Sequence, residues 1–322
     1  MKPLEDFVCS PPGTDFGLQP RLREPASKNC SITEFRDGIS SIVTSYDTFL
    51  IDQWGVLHDG VRPYPDAVEC LSSLRKAGKT ILLISNSGRH TDENESRLSR
   101  IGFSRSDYDH LVSSGQVVLQ MMQQADGDFR CLQGKRCLLL ASDGESASAA
   151  APRLPVIVVE SVSEADFILL AGYDDALGEA FYQDIVDQAL TRNLPMICAN
   201  PDLMRITATG LKPGTGYVAK QLQRVGGRVR FIGKPFPEIY WHCLELAKVL
   251  KTDRVLAIGD SLQHDVVGGR SAGIDTLLVM GGVHAASLLG TRTPDTMMNR
   301  LENLTGASGP LPDWAVPFFA WK

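Results

Sequence analysis

Four polar residues, each placed at or just after a short apolar run, could do chemistry together. Asp52 ends Phe49-Leu50-Ile51, Ser85 follows Thr80–Ile84, Lys234 follows Val229–Ile232, and Asp260 follows Arg254–Ile258. Two carboxylates, a lysine and a hydroxyl suit a Mg²⁺-assisted reaction on a phosphate. Mg²⁺ takes a few carboxylate oxygens and fills its remaining positions with water and substrate phosphate. A lysine neutralises phosphate charge, and a hydroxyl with the backbone amides after it can hold the phosphoryl oxygens. Asp52 taken alone is equally well a turn residue ahead of Gly55. The three later residues shift that balance.

To meet, these residues must stand at one edge of a parallel sheet, where open α/β sheets bind ligands. The apolar runs read as buried strands. Between Asp52 and Ser85, the sequence Asp66–Lys76 places Ala67, Val68, Leu71 and Leu74 at helical spacing, and a second helix is expected over about Asp92–Ile101. Strand-helix-strand-helix order is the mark of a parallel sheet with crossovers. An amphipathic stretch, Val117–Gln124, leads into a second alternating series. Its strands are expected at Arg136–Ala141, Val156–Glu160, Phe167–Ala171 and Met196–Ala199, with a helix at Glu179–Arg192. Ala147–Pro155, rich in small residues and proline, reads as a surface connection. The first pattern resumes with a helix over Gly214–Val225, the strand before Lys234, helices over Pro237–Leu250 and Asp265–Ala272, and a strand at Thr276–Met280. The aromatic tail Pro310–Lys322 is expected to pack along the core, since exposing it would be costly. The fold class is therefore α/β, a parallel-sheet core with a second α/β unit inserted. The expected boundaries are a poorly ordered extension at 1–35, a discontinuous core at 36–115 and 206–322, and the insert at 116–205.

Composition narrows the partners. The chain has 322 residues, 43% of them hydrophobic, which is ample for a sizeable core. A net charge of -6 and an isoelectric point near 5.6 argue against a nucleic-acid or anionic-membrane surface. No apolar run reaches the ~18 residues of a membrane span. The N-terminus carries no apolar leader, so a cytoplasmic protein is expected, with Arg21, Arg23 and Lys28 the only hint of organellar targeting. The cysteines number seven, without a C-x-x-C pair, and Cys70, Cys137 and Cys198 lie in apolar segments. They read as reduced core thiols.

The phrases D-Q-W-G-V-L-H-D-G, I-S-N-S-G-R, A-N-P-D, G-K-P and G-D-S-L-Q-H-D-V, in this order and spacing, resemble the motifs of the haloacid dehalogenase (HAD) superfamily. The insertion resembles the large α/β cap of its subfamily IIA. That resemblance implies a Rossmann-like core, a cap, Mg²⁺ as cofactor, a small phosphorylated metabolite as substrate and a homodimer. It implies a phosphatase in which Asp52 attacks phosphorus to form an aspartyl-phosphate that water then hydrolyses. Ser85 and the N–H of Asn86 would hold the phosphoryl oxygens, and Lys234 would pair with Asp52 and phosphate. The metal would take Asp52, Asp260 and the backbone carbonyl of Trp54, with Asp265 beside them. Asn200 and Asp202 of the A-N-P-D phrase could line the substrate cleft, although N-P-D is also an ordinary turn signature.

One position departs from the family. Most HAD phosphatases carry a second aspartate two residues after the nucleophile, as the general acid and base; here that residue is Trp54. Such a group contributes about 10²–10⁴-fold, and an indole N–H cannot replace it. His58, which titrates near neutrality, or Asp59 could substitute, with a solvated loop histidine and a turn residue as the plainer readings. Substrates with good leaving groups need no acid. Two further readings follow from Trp54: a phosphometabolite-binding protein with little turnover, and a hydrolase of a non-phosphate substrate. Arg89 reads as a solvated helix-start residue or a contact for a substrate anion, Lys220 and His264 read as surface residues, and Gly214-Thr215-Gly216 as a turn or a helix start that approaches a ligand.

Overall fold

The structure is a computed structural model, and it describes residues 32–207, 210–290, 293–306 and 309–322. Residues 1–31 of the expected extension lie outside the described residues. In chain order the strands are β1 (Glu34–Phe35), β2 (Thr48–Asp52), β3 (Thr80–Ser85), β4 (His110–Ser113), β5 (Arg136–Leu140), β6 (Ile157–Val159) and β7 (Phe167–Leu170). They continue as β8 (Met196–Cys198), β9 (Met204–Thr207), β10 (Gly210–Pro213), β11 (Val229–Phe231), β12 (Val255–Gly259), β13 (Asp275–Val279) and β14 (Trp314–Val316). The helices are α1 (Ala67–Lys76), α2 (Thr91–Ile101), α3 (Ser114–Gln124), α4 (Gly144–Ala150) and α5 (Gly178–Thr191). After them come α6 (Thr215–Arg224), α7 (Pro237–Leu246), α8 (Val267–Ser271), α9 (Ala285–Leu288) and α10 (Pro294–Thr305).

The chain divides into two compact units. The larger runs through Ser85, then Asp92–Val112 and Lys234–Lys322. Its sheet has seven strands in the order β1-β14-β13-β12-β2-β3-β4, and every pairing from β1 to β3 is parallel. From β2 the chain winds outward through β3 and β4, then returns on the other side through β12, β13 and β14. The carboxyl ends of β2 and β12 therefore flank the point where strand order reverses, the usual ligand crevice of such sheets. β2 is central: Phe49, Leu50 and Ile51 are all fully buried, as an apolar run covered on both faces must be. α1 closes over the core with Ala67, Cys70, Leu71 and Leu74, an i, i+3, i+4, i+7 stripe, while Arg75 and Lys76 face the negative end of its dipole. Burying Leu71 or Leu74 contributes about 1.5–3 kcal/mol each.

The second unit comprises Asn86–Thr91 and Ser113–Gly233. Its five-stranded sheet runs β11-β8-β7-β5-β6, entirely parallel, with a separate antiparallel pair β9-β10. This is a doubly built α/β protein, a Rossmann-like core with an inserted α/β unit. Among the described residues no helix is long and apolar enough to cross a membrane.

Several boundaries differ from the sequence reading. β11 hydrogen-bonds to β8, so α6 and β11 belong to the inserted unit, which extends to Gly233 and not to 205. An apolar run does not encode which sheet it joins. Glu34–Phe35, expected within the unordered extension, pairs with β14. Ala147–Pro155 is a helix end followed by a 3₁₀ turn, because Asp143 caps α4 by accepting the Ser146 N–H at 2.7 Å. The tail adds the strand β14 beside β13 and buries Phe319, but leaves Phe318 exposed.

Candidate active site

The register of β2 fixes the first two carboxylates. Ile51 pairs with Ile258, and Asp52 pairs with Ile84. Asp260 thus leaves β12 just beyond Asp52, and Ser85 stands one residue past Asp52 on the other side. All three are buried. Gly55, at φ +80°, packs directly on Asp260: a Cβ there would fall 1.8 Å from its Oδ2. Only glycine fits that turn on both counts. The Val283 N–H holds the same Oδ2 at 2.7 Å, and the Gln53 N–H holds Asp52 Oδ1 at 2.7 Å.

Lys234 and Asp265 complete the cluster. Lys234 Nζ lies 2.7 Å from Asp52 Oδ1 and 2.8 Å from Asp265 Oδ1. Asp265 sits on a wide helical turn, Leu262–Val266, and its Oδ2 accepts the Ser261 N–H at 3.1 Å. The lysine is not delivered by a strand of the larger sheet, as the sequence reading has it, since β11 belongs to the other sheet. Burial draws the Lys234 ammonium down, but Asp265 and Asp52 outweigh it and hold the lysine protonated well above its ordinary range. Burial pushes the Asp52 carboxyl well up, against the pull of Lys234 and with the push of Asp265 and Asp260. Asp260 rises to about 7, from burial and then the nearby charge of Asp265.

Three buried carboxylates, Asp52, Asp260 and Asp265, bring one oxygen each within 4.8 Å of one another. One ammonium faces them. The surplus negative charge in a buried place is what a divalent cation neutralises, and an all-oxygen set suits a hard ion. The residues fit a divalent cation.

The loop after β2 holds the three remaining candidates. Trp54 is 39% exposed, and its ring meets His58 edge-on, centroids 5.5 Å apart. His58 is not solvated, as its plainer reading supposed. It is 3% exposed, its Nδ1 accepts the Gly60 N–H at 3.0 Å, and it packs beside Phe103. Burial lowers its pKa to about 4, so it is neutral at pH 7. Asp59 is exposed and turns the loop, its Oδ1 accepting the Val61 and Arg62 N–H groups at 2.9 and 2.7 Å. Those bonds hold its carboxyl below the usual range. Neither residue is arranged as a proton donor.

The second unit gathers its own polar group. Asn86 donates from Nδ2 to Asp202 Oδ1 at 2.7 Å, and Asn200 Oδ1 accepts the Asp202 N–H at 3.0 Å. The A-N-P-D phrase is thus a turn whose aspartate orients a buried asparagine. Gly216 donates its N–H to Asp202 O at 3.0 Å, so the 214–216 segment braces that turn. Arg89 pairs with Asp143 at 3.0 Å. Lys220 lies over the Phe231 ring at 5.1 Å, and His264 offers its carbonyl to the Tyr240 hydroxyl at 3.2 Å.

Residues 49–151 match the family described as haloacid dehalogenase-like hydrolase, and residues 231–304 the one described as HAD-hydrolase-like. A solved haloacid dehalogenase-like hydrolase from Brucella suis superposes with a TM-score of 0.73 at 28% identity, covering 88% of this chain and 100% of that one. The chain is a haloacid dehalogenase-like hydrolase by fold. Human chronophin is 28% identical over 252 residues, 73% of this chain and 81% of its own. The D-glycerol 3-phosphate phosphatase of Mycobacterium tuberculosis is 28% identical over 254 residues, 77% of this chain and 67% of its own.

For a HAD-like hydrolase, the support missed in the sequence is Val283, whose amide holds Asp260. The signal was present: Gly281-Gly282 directly after a buried strand marks a close backbone approach.

Proposed function

We propose that this HAD-like hydrolase is a Mg²⁺-dependent phosphatase of a small phosphorylated metabolite, working through an aspartyl-phosphate on Asp52. The observation that carries this reading is the buried cluster of three carboxylates around Lys234, within 4.8 Å for the carboxylate oxygens and 2.7–2.8 Å for the lysine. The name of the mycobacterial relative, a phosphatase of a small phosphate ester, supports it.

In this reading Asp52 and Asp260, with the carbonyl of Trp54, hold the cation. Bound there, Mg²⁺ supplies charge stabilisation to the phosphoryl oxygens. Asp265 positions Lys234 and the loop at Ser261. Lys234 favours the ionised form of Asp52 against its burial and balances phosphate charge. Ser85 and Asn86 hold the phosphoryl oxygens, and Asp202, with Asn200 behind it, orients Asn86. Asp52 attacks phosphorus, and water later releases the phosphate. The same reading takes the protein to be cytoplasmic and to act as a homodimer, which sedimentation checks.

The test is phosphate release from a panel of phosphate esters with and without Mg²⁺, alongside Asp52→Asn. Metal-dependent release that disappears in Asp52→Asn supports the reading. No release on any ester, with Mg²⁺ still bound, favours the second reading that Trp54 raises, a binding protein with little turnover.

A further inference from the structure

The loop that leaves the nucleophile strand presents an indole, and the structure holds it in place. Trp54 follows Asp52 by two residues and precedes Gly55, which packs on Asp260. Its six-membered ring lies against Gly60, at φ +89°, where a Cβ would come within 2.1 Å of the ring. His58 supports it edge-on and is itself tied to the Gly60 N–H. The loop closes on its own backbone: Leu57 and His58 donate their N–H groups to Gln53 O, and Gly55 donates to His58 O at 3.2 Å. Trp54 is therefore a built part of the site.

The same contacts engage or enclose the titratable groups around it. His58 Nε2 is buried without a protein partner, behind the indole and Phe103. Asp59 is exposed and accepts two backbone amides of its own turn. Lys234 is shared between Asp52 and Asp265, and Asp265 spends its other oxygen on Ser261. Among the described residues of this loop and cluster, each titratable side chain named is bonded or enclosed.

We propose that the enzyme acts on phosphates whose leaving group departs as a stable anion (aryl, enol or acyl phosphates, or phosphoanhydrides) and discriminates against simple alkyl esters. This rests on the phosphatase reading of Asp52. An Asp52 oxygen attacks phosphorus, the bond from phosphorus to the bridging oxygen breaks, and that oxygen keeps the electron pair and takes no proton. Water then attacks phosphorus, its proton passes to solvent, and inorganic phosphate and the Asp52 carboxylate are returned. An alkoxide leaving without a proton forfeits the contribution of general acid catalysis, about 10²–10⁴-fold. An acidic leaving group forfeits little.

The experiment measures kcat/KM of the wild-type protein with Mg²⁺ on 4-nitrophenyl phosphate, phenyl phosphate, acetyl phosphate and glycerol phosphate. The expected result is a steady fall as the leaving group becomes more basic, with the alkyl ester about 10²–10⁴-fold below 4-nitrophenyl phosphate. Trp54→Asp is expected to raise the alkyl rate more than the aryl rate and so narrow the gap, and Trp54→Phe to leave the gap wide. Equal kcat/KM across the wild-type series overturns the inference and leaves the phosphatase reading standing. Release from none of the four overturns the phosphatase reading and this inference with it. If Trp54→Asp does not fold, the wild-type series alone decides.

Discussion

At the carboxyl edge of the seven-stranded sheet, Asp52, Asp260, Asp265 and Lys234 are buried and share their charges. At the carboxyl edge of the five-stranded sheet, Asp143, Asn200 and Asp202 also follow strands, but Asp143 and Asn200 accept backbone amides and Asp202 accepts the Asn86 side-chain amide. The two edges share a topology and differ in charge balance. Among the described residues, three carboxylates of this cluster share one ammonium; burial first, and then the neighbouring carboxylates, push the Asp52 and Asp260 carboxyls up. Around Asp143 the charge is met by Arg89, and the amides satisfy the rest. The first edge is held ready for a cation; the second uses its polar groups to shape turns. Parallel topology alone therefore does not make a site.

The largest effect that could break this contrast is on turnover. Asp52→Asn removes the proposed nucleophile, and activity is expected to fall by about 10⁶-fold, the order seen when a covalent nucleophile is lost. Phosphate release under saturating Mg²⁺ measures it. Lys234→Met probes the charge balance itself. It leaves the buried carboxylates without their ammonium, a change that destabilises by about 3–5 kcal/mol. Urea unfolding without Mg²⁺ would show that loss, and added Mg²⁺ should recover part of it, since a ligand for the folded state stabilises by mass action.

The raised carboxyls make the same balance visible through pH. Asp260 has a folded value of about 7 against an ordinary 3.8. Between those values the folded protein binds a proton that the unfolded chain has released. Stability without a divalent cation therefore falls as pH rises through that window. Mg²⁺ competes with that proton. The rise in Tm on adding Mg²⁺ is expected to be larger at about pH 8 than at about pH 5, by scanning calorimetry. An equal rise at both would mean that no carboxyl is protonated at the lower pH.

Much of the larger edge was legible because its determinants are local. The run Thr48–Asp52 is apolar up to the residue where β2 ends, and Asp52, Ser85 and Asp260 stand at strand ends as read. Lys234 was found, but its strand was assigned to the wrong sheet, since partner choice depends on contacts far away in sequence. His58 was read as solvated because its burial comes from Trp54, Phe103 and Gly60, which the loop's polar composition hides. The second edge was less legible. A-N-P-D reads equally as a turn or a ligand contact, and only the Asn86–Asp202 bond shows what its aspartate touches.

The smallest effect lies at Asp143, and it tests whether the second edge is a matter of shape. Its Oδ1 caps α4 through the Ser146 N–H, and its Oδ2 meets Arg89 at 3.0 Å. Asp143→Ala loses a cap, about 1 kcal/mol, and a part-exposed ion pair that adds ~0–1 kcal/mol. Asp143→Asn keeps a capping oxygen and removes the charge, so it should recover most of the stability. If the second edge only shapes turns, thermal unfolding separates the two variants while the kcat of both stays near the wild-type value. A fall in kcat for Asp143→Asn, with its stability intact, would instead mean that the charge at this edge takes part in turnover, and the contrast between the two sheets would have to be redrawn.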